Sequence, residues 1–180
     1  MSADVSARLA WPDDARAIAK IQRAVWRDDH DTHRGHTMLE GIDEETQLAS
    51  WQRTIAAPPD TRVRVLVALE GPTVRGYALL HPSADDDADP VSEVEVGELA
   101  IDPLHRRAGH GSRLLQACVD TAEADRATEL VWWLGTEDDH LRSWVTSSGW
   151  QADGAHREFE GPGEARLRQV RVRTRIGPDE

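Results

Sequence analysis

The sequence predicts a single α/β (α+β) domain over residues 1–180, with its elements in the order β-α-α-β-β-β-α-β-α-β-β. Three patterns carry this prediction. Residues 62–69 alternate between polar and apolar side chains, and a Glu70-Gly71-Pro72 turn joins them to a second strand at 74–80, which makes a hairpin. Residues 17–26 place apolar side chains at helical spacing, which predicts a helix with one buried face. Residues 98–119 combine a strand, a glycine-containing turn and a helix.

The remaining elements follow from the same rules. A short strand at 5–10 precedes a helix capped by Asp13 or Asp14, and Asp43 caps a second helix that ends before Pro58-Pro59. The elements expected after the hairpin are a strand at 92–101, a helix from 109 to about 124, a buried strand at 130–134, a short helix over 137–147 and two final strands around Phe159 and at 165–175. Residues 28–37 are expected to form a polar loop, and the acidic run at 85–90 a solvated one.

Composition narrows the class of protein. The formal net charge is −12, which argues against nucleic acid as a partner because binding a duplex needs a basic face. No apolar stretch approaches the roughly 20 residues needed to span a bilayer, and the N-terminal residues lack the features of a signal peptide, so a cytoplasmic location is expected. The single cysteine, Cys118, excludes an internal disulfide and lies on the apolar face of its predicted helix, so we interpret it as a packing residue.

Residues 105–113 reverse the charge of the chain locally. They contain three arginines, two histidines and no acid, and they lie between the strand at 98–101 and the helix that follows. This arrangement points backbone N–H groups and the positive end of a helix dipole at an anion. Gly109 and Gly111 allow a close approach of the ligand and tolerate positive φ angles, and arginine forks fit phosphate oxygens. The segment therefore predicts a pyrophosphate-binding site.

The spacing of these residues indicates a family. The P-loop pattern and the complete dinucleotide fingerprint are absent. The sequence Ile101-x-Pro103 followed by Arg106-x-x-Gly109-x-Gly111 resembles motif A of the GNAT N-acetyltransferase superfamily, and the element order resembles the GNAT fold over nearly the whole chain. The resemblance implies a mixed, mostly antiparallel sheet of about seven strands flanked by helices. It also implies that the strands before and after the motif A helix are parallel and separate to form a slot.

The resemblance also assigns the acetyl-CoA contacts. It implies that the pyrophosphate is held by side chains and backbone of Arg106, Arg107, Gly109, Gly111 and Ser112, with backbone contacts from Ala108 and His110. It implies further that Ile101 lies along the pantetheine arm and that the backbone N–H of Leu99 stabilises the oxyanion, aided by a β-bulge at Gly97.

Three glutamates are candidates for the base that deprotonates the amine. Alternation places Glu93 and Glu95 on one face of the strand, before Gly97 interrupts the register, and Glu98 follows it. Glu95 lies six residues before Ile101, where many members of the family carry a glutamate that acts directly or through water. Glu95 and Glu98 are therefore the candidate catalytic side chains, although acids on a strand commonly face solvent.

A second signature departs from the family pattern. Residues 138–150 resemble Asn-x-x-Ala-x-x-Phe-Tyr-x-x-x-Gly-Phe, but Asp138 replaces the asparagine and Val145 replaces the tyrosine that serves as the acid. The tyrosine role therefore cannot be assigned to this chain. Thr146, Ser147 or a water are the possible substitutes.

His30, His33 and His36 lie among acids at a spacing that would allow a metal site on a helix. Gly35 and the charge density favour a loop instead, so no metal is expected. In the family this stretch borders the acceptor pocket, and an acidic, histidine-rich rim would suit a cationic amine.

The sequence thus predicts a cytoplasmic N-acetyltransferase that moves acetyl from acetyl-CoA to a primary amine of a small molecule or peptide, by direct attack in a ternary complex. Neither nucleic acid nor a membrane is expected as a partner, and a homodimer is possible. The alternatives are a non-catalytic acyl-CoA-binding or sensing module, favoured by Val145, and a purely structural interaction domain.

Overall fold

The computed structural model describes residues 5–29, 38–160 and 166–177. These residues form a seven-stranded sheet in the order β1-β2-β3-β4-β5-β7-β6. The strands are β1 (Val5–Leu9), β2 (Arg64–Glu70), β3 (Thr73–Pro82), β4 (Glu93–Ile101), β5 (Glu129–Gly135), β6 (Gln151–Glu160) and β7 (Arg166–Arg175). The helices are α1 (Ala15–Asp28), α2 (Glu44–Ala56), α3 (His110–Ala124) and α4 (Asp139–Ser147), with short 3₁₀ turns at Pro12–Asp14 and Pro103–His105. The predicted fold class and element order are confirmed.

The pairing of β4 with β5 is the feature that shapes the site. It is parallel, whereas the other pairs in the described sheet are antiparallel. It runs only from Glu93 opposite Glu129 to Val96 opposite Trp132. Beyond these residues β4 continues to Ile101 and β5 to Gly135 without pairing to each other, so the two strands diverge as predicted.

A β-bulge at Gly97 marks the point of divergence. In the β3–β4 ladder Leu80 lies opposite Val96 and Leu79 lies opposite Glu98, so Gly97 is the extra residue. A bulge shifts the alternation of side chains by one position. In a regular strand Glu95 and Glu98, three positions apart, would point to opposite faces of the sheet. With the bulge at Gly97 between them, their side chains point to the same face.

Two hydrophobic clusters cover the two faces of the sheet. The larger one packs α3 and α4 on the middle strands through Leu114, Cys118, Val145, Leu130 and Val96, among others. The smaller one packs α1 and α2 on β2 and β3. Cys118 is fully buried in the larger cluster, and burial raises the pKa of its thiol to about 12, which agrees with a packing role. No helix in the described part of the chain is long and apolar enough to cross a membrane.

The acidic run at 85–90 differs from its prediction as a solvated loop. Asp85 and Asp87 both accept hydrogen bonds from Arg171 of β7, at 3.0 and 2.7 Å. Asp85 also accepts one from the indole of Trp133, at 3.0 Å. The reason is long-range charge pairing: Arg171 is buried on β7, and its guanidinium requires acidic partners there. The loop is therefore fastened to the sheet.

Candidate active site

The segment predicted to bind an anion lies at the start of α3, and we call it the cradle. Gly109 caps the helix with a left-handed φ of 88°, and its carbonyl accepts the first helical hydrogen bond, from Arg113 N at 3.1 Å. The N–H groups of residues 110–112 precede that bond and have no acceptor within the helix. A Cβ built at Gly109 would meet no atom of the described part of the chain within 4 Å, so those residues leave the space above the turn open. Gly111, by contrast, lies inside the helix, with a Cβ position 3.5 Å from the ring of Trp144.

The two arginines before Gly109, Arg106 and Arg107, lie in different environments. Arg107 has a positive φ of 61°, which is rare for a residue other than glycine, and its side chain is exposed. Arg106 forms an ion pair with Asp28 at the end of α1, with Nη1 2.6 Å from Oδ2. Both partners of this pair are almost half exposed, at 46% and 45%. An anion at the cradle can therefore compete with Asp28 for the Arg106 guanidinium.

At His110 only the backbone is available to a ligand at the cradle. The side chain is 1% exposed, and neither ring nitrogen has a hydrogen-bond partner among the residues that the structure describes. Burial lowers the pKa of this imidazole, and the nearby charges of Arg75 and His105 lower it further while Glu70 opposes them. The sequence does not reveal this burial, because a histidine in a basic loop suggests an exposed ligand contact.

The slot begins where β4 leaves β5. Leu99 and Ile101 are half-buried on the side of the sheet that carries α3 and α4. A Cβ at Gly111 would lie 3.9 Å from Ile101 Cγ1, so the end of β4 and the start of α3 adjoin. The two residues predicted to contact the pantetheine arm thus lie between the bulge and the cradle.

The opposite face of β4, which we call the carboxylate face, carries Glu93, Glu95 and Glu98. Val94 and Val96 pack in the cluster under α3, so Glu93 and Glu95 point the other way. The bulge at Gly97 brings Glu98 onto the same face, where it contacts Gln22 of α1 and Tyr77 of β3. The predicted base candidates therefore lie together.

Glu98 is held by a network of hydrogen bonds. Tyr77 Oη donates to its Oε1 at 2.5 Å, and Gln22 Nε2 donates to both carboxylate oxygens at 3.0 Å. The amide oxygen of Gln22 accepts in turn from Gln47 Nε2 at 2.6 Å and from Trp51 Nε1 at 2.9 Å. These bonds fix the orientation of the Gln22 amide, and through it that of the carboxylate.

Glu95 lies in a different environment. It is 7% exposed, and burial raises the pKa of its carboxyl group, although the neighbouring His81 and Arg157 oppose the shift. The Arg157 Nη2 atom lies 4.0 Å from the Oε1 atom of Glu95. The Arg157 guanidinium itself stacks on Trp133 and Phe159, at 4.3 and 5.0 Å from the ring centres.

Glu93 is less suited to proton transfer. One of its oxygens pairs with Arg173 of β7 at 3.3 Å, and its position at the start of β4 lies farther from the slot. Arg173 also contacts Asp153 and Glu129, so Glu93 belongs to the charged cluster that joins β4, β5, β6 and β7.

The helix α4 offers no side chain in place of the family tyrosine. Val145 is fully buried in the larger cluster, so a tyrosine there would displace core side chains. The hydroxyls of Thr146 and Ser147 are exposed and donate to carbonyls of their own helix, at 2.9 and 2.7 Å. Among Val145, Thr146 and Ser147, therefore, no side chain is placed to donate a proton to the leaving thiolate.

The predicted histidine rim of His30, His33 and His36 lies outside the described residues. Within residues 5–29, 38–160 and 166–177, no group of three or more histidine, cysteine or acidic side chains is arranged to hold a metal ion.

Comparison with known proteins gives the family of this chain. A model of the acetyltransferase (GNAT) family matches residues 16–144, and the chain therefore belongs to that family. Membership makes it an acyltransferase with acetyl-CoA as its co-substrate.

Individual proteins resemble this chain in part of their sequence or in their fold. Mycothiol acetyltransferase from Kineococcus radiotolerans is 43% identical over 65 residues, which are 36% of this chain and 20% of that protein. This chain thus spans about a fifth of the length of that relative. An N-acetyltransferase from Staphylococcus aureus Mu50 superposes with a TM-score of 0.75 at 15% identity, covering 97% of this chain and 99% of that one. The structure of yncA from Salmonella typhimurium, with its cofactor acetyl-CoA, gives a TM-score of 0.70 at 20% identity, covering 97% and 95%.

Proposed function

We propose that this chain transfers an acetyl group from acetyl-CoA to a primary amine of a small molecule or peptide, by direct attack in a ternary complex. The observation that carries the proposal is the bulge at Gly97, which sets Glu95 and Glu98 on one face of β4 where β4 and β5 diverge. The same strand leads through Ile101 into the cradle at α3. One strand therefore links a candidate base to a candidate cofactor site.

The described residues fit coenzyme A. The open space over Gly109, the N–H groups of residues 110–112 and the exposed arginines suit a pyrophosphate. Arg106, Arg107, Gly109, Gly111 and Ser112 would hold it, with the Ala108 and His110 backbone, while Leu99 and Ile101 would line the pantetheine path. Acetyl-CoA supplies an acetyl group activated as a thioester when it is bound.

The residues of this chain supply the remaining chemistry. The backbone N–H of Leu99 donates to the acetyl oxygen as negative charge develops there. Glu98, fixed by Tyr77 and Gln22, orients the ammonium group of the acceptor. Glu95 supplies the basicity, either as the direct proton acceptor or through an intervening group. A carboxyl group with a raised pKa is a stronger base near neutral pH than an ordinary glutamate.

The leaving thiolate needs no dedicated acid. A thiol with an ordinary pKa of about 8.5 departs without a proton donor at moderate cost. The absence of tyrosine at Val145 still favours one alternative, a module that binds acyl-CoA without catalysis. The arrangement of Glu95 and Glu98 favours the transferase instead, since a binding module requires neither.

Turnover distinguishes these functions. Release of free coenzyme A thiol should be measured with acetyl-CoA and a panel of small-molecule and peptide amines. The proposal expects amine-dependent release, and binding of acetyl-CoA with no release from any amine would contradict it.

The glutamate roles are tested on the amine that gives release. Glu95→Gln should lower the rate most near neutral pH, with recovery at higher pH, where more of the acceptor is already deprotonated. Glu93→Gln is the matched control, since Glu93 lies on the same face but pairs with Arg173. Equal effects of the two substitutions would remove Glu95 from the mechanism.

A further inference from the structure

His81 lies on the carboxylate face, although no sequence motif singled it out. It is the next-to-last residue of β3 and lies opposite Glu95 in the β3–β4 ladder. Residues directly opposite each other in an antiparallel pair share a face. The half-buried His81 side chain is therefore a neighbour of the buried Glu95 carboxyl group.

The imidazole of His81 covers the bulge. A Cβ placed on Gly97 would lie less than 3.0 Å from two ring atoms of His81, Nε2 and Cδ2. Glycine is thus required at position 97 for the ring to occupy its place. The Nε2 edge lies over the residue at which β4 and β5 diverge, which is the inner end of the slot.

The other ring nitrogen fixes the tautomer. His81 Nδ1 lies 2.9 Å from the carbonyl oxygen of Pro82. A carbonyl can only accept a hydrogen bond, so Nδ1 carries the proton of the neutral ring. Nε2 consequently presents a lone pair, the form that a proton acceptor requires.

The charged groups around Glu95, the partner of His81 in the ladder, come from three elements. Glu93 is on β4 with it, Asp85 is in the loop before β4, and Arg157 is on β6. Glu95 lies directly opposite His81 in the ladder, so its carboxylate would face the positive charge that the ring carries after it accepts a proton.

We propose that His81 Nε2 is the atom that receives the proton of the acceptor amine, with Glu95 acting through it as a positioned counter-charge. The inference rests on the proposed function. The N–H bond of the ammonium group breaks, its electron pair stays on the nitrogen, and the lone pair of Nε2 forms the new N–H bond. The positive charge moves from the amine to the imidazole, and the free amine becomes the nucleophile.

Two measurements test this role. The first is independent of activity: long-range ¹H–¹⁵N correlation spectra of histidine-labelled protein report the tautomer of each neutral ring. The inference expects His81 protonated at Nδ1 and bare at Nε2. A spectrum with the proton on Nε2 would overturn it.

The second measurement is the rate of the variant His81→Asn. Asparagine can still donate to the Pro82 carbonyl but has no basic nitrogen. A positioned base contributes about 10²–10⁴ in rate, so kcat/KM should fall by at least about 10²-fold. The dependence of kcat/KM on pH should change with it, because the proton acceptor has been removed. The affinity for acetyl-CoA should not change.

Controls separate this inference from the proposed function. His140→Asn alters an exposed histidine on α4 and should behave as wild type. His81→Gln is a second variant for use if His81→Asn does not fold. If the wild type acetylates amines and the His81 variants keep its rate and pH profile, the inference is wrong while the proposed function stands. If the folded wild type acetylates no amine, both are wrong.

Discussion

Replacing His110 by leucine should stabilise the protein. The imidazole is 1% exposed, and neither nitrogen has a hydrogen-bond partner within residues 5–29, 38–160 and 166–177, although a neutral ring must bury one N–H donor and one acceptor. An unsatisfied buried polar group costs about 1–3 kcal/mol. Leucine has a similar volume and no polar atom, so His110→Leu should raise the free energy of unfolding by about 1–3 kcal/mol near pH 7.5.

The gain should grow as the pH falls. Burial lowers the pKa of His110 in the folded protein, so the unfolded chain binds a proton more readily than the folded one. The folded wild type is therefore destabilised as the pH falls below about 6.5, by at most about 1.4 kcal/mol per pH unit for this one group. His110→Leu removes that contribution and should flatten the pH dependence between about pH 6.5 and 5.

The assay is denaturant unfolding of wild type, His110→Leu and the exposed control His140→Leu at pH 7.5 and 5.5. For a chain of this length, each kcal/mol corresponds to about 2–4 °C in Tm, which gives a second readout. Affinity for coenzyme A at pH 7.5 should stay within about twofold of wild type, because only the backbone of His110 belongs to the cradle. A destabilised His110→Leu, or one with the pH dependence of wild type, would show that the ring is not an unpaired buried group.

Three further changes have defined outcomes. Gly97→Ala should displace His81 and lower the acetylation rate while coenzyme A affinity is kept, and an unchanged rate would contradict the placement of that ring over the bulge. Arg171→Met should lower the free energy of unfolding by about 3–5 kcal/mol, because it leaves Asp85, Asp87 and Asp153 without their shared cation. Substitution of the exposed Arg168 by methionine is the control in the same unfolding assay. Equal losses of stability in the two variants would refute the argument. Cys118, with a thiol pKa of about 12 and no exposed surface, should react with a disulfide reagent at pH 8 only after unfolding, so rapid labelling of the folded protein would place it elsewhere.

Local features of the site were accessible from the sequence. The turn at Gly109 and the helix after it depend on neighbouring residues alone, and glycine is the residue that adopts a φ of 88° without strain. The bulge at Gly97 was likewise visible as a glycine that interrupts an alternating strand, and the structure confirms it. Alternation also placed Glu93 and Glu95 on one face.

Features that depend on distant parts of the chain were not accessible. His81 meets Glu95 only because of the register between β3 and β4, which the sequence does not specify. Arg171 donates a hydrogen bond to Asp85, which lies 86 positions away in the sequence. Because this pairing cannot be recognised from neighbouring residues, the sequence predicted a solvated loop for the acidic run. The burial of His110 depends on how α3 packs on the sheet, which a basic motif does not reveal.

The most direct test of the central claim is the binding of coenzyme A to Gly109→Val, with Gly154→Val as its control. The two glycines have φ angles of 88° and 87°, and a Cβ at either would meet no atom of the described residues within 4 Å. The backbone strain of the two substitutions is therefore matched, and only Gly109 lies in the cradle. Isothermal titration should show at least a tenfold loss of affinity for Gly109→Val, about 1.4 kcal/mol or more, and none for Gly154→Val. Equal affinities for wild type and a folded Gly109→Val would contradict the assignment of this turn as the pyrophosphate site.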